Sequence, residues 1–189
     1  KEGTLFNAYA HKLESLGPLL YLAEVGLVVF FLTHAVTGIR LALKARAAKP
    51  QKYAHAQSKG GTSTKWGIAS NNMAITGSLI LVFLILHVIH FKYGAGVNEG
   101  YVVQIDGKDA RDLHRLVVEQ FKNPVITALY MAVMATLAIH LRHGVWSAMQ
   151  SLGLTRANNS KKIYFVGGAL GILLGVGFFA IPAYIYFFV

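Results

Sequence analysis

Four long, predominantly apolar stretches constrain this chain more than any other feature of its sequence. They cover residues 19–43, 70–91, 124–149 and 163–188. An α-helix rises about 1.5 Å per residue, so each stretch is long enough to cross the roughly 30 Å of hydrocarbon in a bilayer. Transmembrane β-strands would instead give segments of about ten residues with alternating polarity, which the sequence lacks. We therefore predict an all-α membrane protein in which residues 1–189 form one domain, a bundle of four transmembrane helices.

The composition agrees with a membrane protein and excludes several other classes. Charged residues make up 14% of the 189 residues and hydrophobic residues 54%, whereas a soluble domain carries about a quarter charged residues. The net charge of +10 is therefore not interpreted as a nucleic-acid-binding surface, and membrane lipid is the expected surrounding. Cysteine is absent, which excludes disulfides, cysteine-ligated zinc and iron–sulfur clusters ligated by this chain.

The distribution of charge predicts how the helices are oriented. Residues 40–65 contain seven basic and no acidic residues, and residues 142–162 contain four basic and no acidic residues. Residues 94–122 hold five of the eight acidic residues. By the positive-inside rule, the loops 45–69 and 151–162 lie in the cytoplasm and residues 94–122 lie outside.

The segments around the spans carry local signals of their own. Asn123 followed by Pro124 predicts an N-cap and a first helical residue for the third span. Asp106-Gly107 predicts a tight turn between the extended YVVQI and the amphipathic ARDLHRLVVEQF, which is expected to lie along the outer membrane face. Residues 1–17 are expected to form an outer loop. Small residues at every fourth position predict a close-packed face on the last helix: Gly167, Gly171 and Gly175.

Histidines inside the spans point to chemistry. Ionisable residues at membrane depth are costly and usually face a ligand or the interior of a bundle. Five of the eight histidines lie in spans: His34, His87, His90, His140 and His143. Counting from the outer end of each helix at about 1.5 Å per residue places His34 and His140 at the same depth, ~23 Å below the outer edge. His87 belongs to a separate layer near the outer surface.

Two imidazoles at equal depth on different helices are the ligand set of a b-type haem, whose iron takes one neutral imidazole nitrogen on each face. We predict His34 and His140 as ligands of an inner haem, and His87 as a ligand of an outer haem whose other ligand lies outside this chain. Zinc is less favoured, because no carboxylate lies near either inner histidine on its helix. Gly38 leaves room for the macrocycle. His90 and His143 are expected to bind propionate or quinone, or to be interfacial. Basic side chains are expected to neutralise the propionates at the inner edge: Arg40, Lys44 and Arg142.

Three segments carry a family resemblance that covers residues 6–188. They are FNAYAHKLESL with the following THAVTGIRLALKA, then NNMAITGSLILVFLILHVIHF, and finally AIHLRHGVWSAMQSLGLT. These segments resemble the cytochrome b558 family, the five-helix, two-haem membrane subunit of bacterial succinate dehydrogenase and fumarate reductase. The resemblance implies that His34, His87 and His140 match the haem ligands of the family's second, third and fourth helices, the second pairing with the fourth. The family's first helix has no counterpart here, so we expect a further span before Lys1 in the natural polypeptide.

The resemblance also implies a function, that of an electron-transferring membrane anchor. A flavoprotein subunit that oxidises succinate and an iron–sulfur subunit would dock on the cytoplasmic side of the bacterial inner membrane. This chain holds no succinate site and acts enzymatically only as their membrane subunit, passing electrons to a quinone, by analogy menaquinone. Polar residues near the inner ends of the spans are the candidates for the quinone site, and each is equally explained as an interfacial anchor. They are Trp66, Ser70, Asn71, Asn72 and Trp146.

Two other functions fit parts of the pattern. A cytochrome b anchor of a hydrogenase or formate dehydrogenase would share the bis-histidine haem and differ in its dehydrogenase partner. A non-redox channel or transporter would use the same histidines as a proton relay. The visible spectrum and the copurifying subunits distinguish these alternatives.

Overall fold

The structure, a computed structural model, describes residues 3–48 and 72–189. Within these residues the chain forms six α-helices and one two-stranded hairpin. The helices are α1 (Thr4–Glu14), α2 (Pro18–Ala47), α3 (Met73–His87), α4 (Leu113–Phe121), α5 (Pro124–Ser151) and α6 (Ser160–Phe188). A π-helical turn, Val88–Lys92, continues α3, and a 3-10 turn covers Val97–Glu99. The strands are β1 (Val102–Ile105) and β2 (Lys108–Arg111).

Four of these helices are long and apolar enough to cross a membrane, namely α2, α3 with its π-helical turn, α5 and α6. This confirms the predicted all-α membrane bundle. α2 and α6 extend beyond the predicted spans at their basic ends. Lys44, Arg46 and Lys161 lie in these extensions. Lysine and arginine are good helix formers, so the helices continue past the apolar residues that defined the predicted bounds.

The N-terminal segment corrects the sequence analysis, because residues Thr4–Glu14 form a helix and not a loop. α1 packs against α4, and Asn7 is buried between them with only 2% of its surface exposed. The Asn7 amide donates to Oδ1 of Asp112 at 2.7 Å, and its side-chain oxygen accepts the backbone N–H of His114 at 2.9 Å. A helix this short is stabilised mainly by packing against the rest of the fold, which local sequence signals do not reveal.

A small unit beyond the ends of the apolar helices is formed by α1 together with residues 94–121, and we call it the outer cap after the side of the membrane that the charge distribution predicts for it. Its hairpin pairs β1 antiparallel with β2. The turn residues Asp106 and Gly107 both have positive φ, 51° and 74°, as a two-residue type I′ hairpin turn requires. The predicted turn is therefore confirmed. The predicted amphipathic stretch is helical only from Leu113, because its first residues Ala110 and Arg111 pair with β1.

Arg111 fastens the outer cap to the end of the second span. Its Nε donates to the carbonyl oxygen of Ala95 at 2.9 Å, and its two terminal nitrogens donate to those of Lys92 and Gly94 at 3.0 Å. The planar guanidinium provides donors in a fixed fork, which suits three closely spaced acceptors. One of these acceptors belongs to Lys92, the last residue of the π-helical turn.

α5 and α6 form the most closely packed pair of spans. The N-cap of α5 is confirmed, since Oδ1 of Asn123 accepts the backbone N–H of Val125 at 2.9 Å. The small-residue face of α6 is also confirmed, since Gly167, Gly171 and Gly175 are buried. A Cβ atom on Gly171 would lie 2.7 Å from the carbonyl oxygen of Ala138, so only glycine permits this close approach of the two backbones. The pair therefore acts as a rigid support for side chains on the opposite face of α5.

α2 stands apart from this pair. It has no buried residue, and it packs on α3 over a short stretch and not along α5. An ion pair between Glu24 and Lys92 holds its outer end against the end of the second span. α2 and α5 do not pack along each other, and the rings of His34 and His140 contact each other across the space between them.

Candidate haem site

His34 of α2 and His140 of α5 meet across the space between their helices. Their ring centres are 6.4 Å apart and their planes are inclined by 84°. The two residues are far apart in sequence and lie on helices that run in the same direction, so equal depth is required for their approach. The geometry agrees with the depth that residue counting gives for each. Iron ligation by the pair stays a prediction.

The separation of the two rings fits two axial ligands of one metal. Imidazole nitrogens bind metals at about 2 Å, so two imidazoles on opposite faces of one metal have ring centres about 6 Å apart. The relative orientation of the two planes is free in such a pair, because each ring can rotate about its own metal–nitrogen bond. The residues present therefore fit a bis-histidine haem. A Cβ atom built on Gly38 or Gly144 meets no other atom within 4 Å, but the same holds at Gly177, so room for the macrocycle beside Gly38 stays a prediction.

α3 supplies the groups that hold the ring of His140. The hydroxyl oxygen of Thr76 lies 3.0 Å from Nδ1 of His140. The neighbouring Gly77 faces the same ring, and a Cβ atom there would lie 3.1 Å from Cε1 of His140. A larger residue at position 77 would displace the ring. The first turns of α3 therefore contact the ring of His140 and limit its position.

His87 lies in a separate layer at the other end of α3. Eleven residues separate it from Thr76, which corresponds to ~16 Å along the helix. Its ring is stacked on Phe83 with centres 5.7 Å apart and is flanked by Phe91 and Tyr130 at 5.4 and 6.0 Å. Its Nδ1 is buried and has no hydrogen-bond partner among the described residues. The structure therefore leaves this imidazole without the polar contacts that buried nitrogens usually have.

Both ring nitrogens of His90 lie within hydrogen-bonding distance of another side chain, in contrast to Nδ1 of His87. Its Nε2 lies 2.7 Å from Oε1 of Gln120, and its Nδ1 lies 3.4 Å from the hydroxyl of Tyr130. Both contacts run toward the outer cap and the outer end of α5. His90 also lies within the π-helical turn, a distortion that frequently marks functional segments of membrane and soluble helices. Each ring nitrogen of His90 therefore has a polar contact, whereas Nδ1 of His87 has none among the described residues.

The residues predicted to contact the haem propionates lie on two helices, α2 and α5. Nη2 of Arg142 donates to the hydroxyl of Tyr164 at 2.8 Å, and the guanidinium stacks over the same ring. Arg142 therefore points toward α6, away from the space between α2 and α5. Arg40 and Lys44 lie exposed on the final turns of α2, and His143 is half-buried on α5 one turn beyond His140.

The quinone candidates are not brought together by the described residues. Trp146 packs edge-on against Tyr164 with ring centres 5.7 Å apart, at the α5–α6 contact. Asn72 immediately precedes α3 and caps it only through its backbone. Trp66, Ser70 and Asn71 lie outside the described residues. A groove of about 340 Å³ lies between the last turns of α2 and the first turns of α3, near Asn72. Its polar lining residues are Arg46 and Ser78.

Sequence reasoning missed the polar partners of the histidines. Thr76 and Gln120 lie 64 and 30 residues from the imidazoles that they contact. Threonine and glutamine at helix ends are common, so nothing local distinguishes them. Among residues 3–48 and 72–189, no three histidine or acidic side chains converge as a multidentate metal site would require.

Comparisons with protein-family models, with curated proteins and with solved structures gave no match to this chain. The function proposed for it therefore rests on its own residues and their geometry.

Proposed function

We propose that this chain is a haem-b-binding membrane anchor of the succinate dehydrogenase and fumarate reductase type. The observation that carries the proposal is the approach of His34 and His140, whose ring centres are 6.4 Å apart on two different spanning helices. Imidazoles at membrane depth are costly to retain and usually face a ligand or the interior of a bundle.

The residues of this chain have distinct roles in the proposal. His34 and His140 would hold the inner haem, and Thr76 and Gly77 contact the ring of His140. Apolar spans exclude water from the site and lower the dielectric around it, which tunes the redox potential. Haem b, when bound, supplies reversible one-electron transfer. Arg40 and Lys44, at the inner end of α2, are the proposed partners of its propionates.

His87 is proposed as the ligand of a second, outer haem, completed by a histidine from outside this chain. Support comes from its place ~16 Å along α3 from the inner layer and from its Nδ1, which has no hydrogen-bond partner in the part of the chain that the structure describes. The aromatic side chains around it, Phe83, Phe91 and Tyr130, fix the orientation of its ring. His90 stays with Gln120 and Tyr130 as an outer polar group.

The proposed partners are those that the resemblance to the cytochrome b558 family implies, and the charge of the two ends of the bundle indicates the side on which they would dock. The basic ends of α2 and α6 mark the cytoplasmic side of a bacterial inner membrane, where a flavoprotein and an iron–sulfur subunit would dock. Quinone, by analogy menaquinone, would take electrons near the inner ends of the spans. The groove beside Arg46 and Ser78 is a described cavity of suitable location for its headgroup.

A reduced-minus-oxidised visible spectrum of the purified protein tests the proposal. A sharp α-band typical of b haem is expected, together with copurifying subunits that contain flavin and iron–sulfur clusters. Nickel- or molybdenum-containing partners would instead identify an anchor of hydrogenase or formate dehydrogenase type. A spectrum without haem bands would contradict the proposal and favour a histidine-based proton relay.

A further inference from the structure

We infer that Thr76 is a positioning residue that fixes His140 in the tautomer with a proton on Nδ1 and a free Nε2. The inference rests on the proposed function, since a free Nε2 is what a metal needs from a neutral imidazole. Thr76 lies on α3, which carries neither member of the inner pair, so its contact with His140 crosses between two spans. The hydroxyl oxygen and Nδ1 are 3.0 Å apart.

The hydrogen-bonding capacity of the hydroxyl decides the direction of this contact. A threonine hydroxyl has one proton to donate and can accept at its oxygen. The Thr76 oxygen also lies 3.2 Å from the backbone carbonyl oxygens of Asn72 and Met73, one turn earlier on its own helix. Those carbonyls can only accept, so in the proposed arrangement one of them takes the single hydroxyl proton. The Thr76 oxygen is then left to accept the proton on Nδ1 of His140.

The position of Thr76 in the helix explains why its hydroxyl is suited to this task. It lies in the first turn of α3, and donation to a carbonyl of the preceding turn fixes its rotamer in helices. Gly77, next to it, lets the imidazole come close to the helix, since a Cβ atom there would lie 3.1 Å from Cε1 of His140. The pair Thr76-Gly77 therefore sets both the rotation and the distance of the ring.

Two measurable properties follow from such a bond. Partners that accept the second ring proton of a metal-bound histidine raise its basicity, and their loss typically costs about 10- to 100-fold in metal affinity. A more basic imidazole favours the oxidised iron, so the bond lowers the midpoint potential of the inner haem. Removing the acceptor should weaken haem binding and shift the potential to more positive values.

The test compares Thr76→Val, Thr76→Ser and Thr136→Val in the full chain, purified in detergent. Valine preserves the shape of threonine without its hydroxyl, and serine restores the hydroxyl. Thr136 is the matched control, because its hydroxyl bonds only the Ala132 carbonyl of its own helix, at 3.0 Å. We expect Thr76→Val to weaken haem affinity by about 10-fold or more and to raise the midpoint potential. Thr76→Ser and Thr136→Val should resemble the unmodified protein in both.

A second readout does not need haem. Nitrogen-15 chemical shifts of histidine in the haem-free protein distinguish a protonated Nδ1 from a protonated Nε2. Thr76→Val should reduce the Nδ1-protonated signal of His140, and Thr136→Val should not. An unchanged tautomer in Thr76→Val, or unchanged haem affinity and potential, overturns the role of Thr76. Absence of haem from the unmodified protein would instead overturn the proposed function, so the two failures are distinguishable.

Discussion

The side-chain amide of Asn7 donates to the carboxylate Oδ1 of Asp112 at 2.7 Å, and this bond joins α1 to the N-terminus of α4. The same carboxylate oxygen accepts the backbone N–H of Arg115 at 3.0 Å and so caps α4. Asn7 is buried and also accepts the backbone N–H of His114. One asparagine therefore connects two helices that are more than a hundred residues apart in sequence.

Replacing Asn7 with alanine should loosen the outer cap without unfolding the spans. The variant leaves the partly buried N–H of His114 without its acceptor, which costs up to about 1–3 kcal/mol. Hydrogen exchange of the α1 and α4 amides measures the change, and faster exchange is expected there alone. Asn98→Ala is the control, because Asn98 is exposed on the 3-10 turn. Equal exchange in the two variants would show that Asn7 does not hold the cap together.

Two glycines of α6 offer a matched pair for the packing of the last two spans. A Cβ atom on Gly171 would lie 2.7 Å from the Ala138 carbonyl oxygen, whereas one on Gly177 would meet nothing within 4 Å. Gly171→Ala should therefore force α5 and α6 apart, at a cost of about 1–3 kcal/mol for overpacking. Gly177→Ala should leave the unfolding midpoint in detergent unchanged or slightly higher. A lowered midpoint in Gly177→Ala alone would contradict the described packing.

The acid stability of the outer cap should depend on Glu119. The hydroxyl of Tyr101 donates to its carboxylate at 2.5 Å and Nε of Arg115 donates at 2.7 Å. These two hydrogen bonds, first that of Tyr101, lower the pKa of the Glu119 carboxyl below its ordinary value. A lowered folded-state pKa stabilises the cap above the unfolded-state pKa, and this stabilisation is lost as pH falls through the folded-state value.

An acid titration followed by hydrogen exchange of α4 tests this dependence. The effect should be small, because the group is exposed and its ion pair is screened by solvent. Glu119→Gln should remove the part of the acid dependence that belongs to this carboxylate. Identical titration curves for Glu119→Gln and the unmodified protein would rule out a contribution from the Tyr101–Glu119 bond.

His34→Ala and His140→Ala should each abolish binding of the inner haem. A single imidazole on one face does not replace the pair, so loss of either residue should strongly reduce both haem content and quinone reduction. The pyridine haemochrome spectrum of the purified variants measures the haem that remains. His11→Ala is the control, because His11 lies on α1 in the outer cap. Normal haem content in both His34→Ala and His140→Ala would disprove the pairing.

Local patterns in the sequence were sufficient to predict the membrane bundle. Span number and approximate bounds follow from apolar length, because hydrocarbon thickness sets a physical requirement that each helix meets separately. The Asp106-Gly107 turn and the Asn123 cap likewise depend on neighbours within a few residues. The equal depth of His34 and His140 also followed from counting, since both helices cross the bilayer in the same direction and residue number then measures depth. That their rings face each other is shown only by the structure.

Contacts between distant residues were decided only by the tertiary structure. α1 is helical because α4 covers Asn7, His140 meets Thr76 because α3 passes beside α5, and His90 is occupied because the outer cap brings Gln120 to it. The sequence alone determined which residues lie inside the membrane and at what depth, because both depend on length and polarity along one helix. Rotation of each helix about its axis, and hence the partner of each imidazole, depends on how neighbouring helices pack.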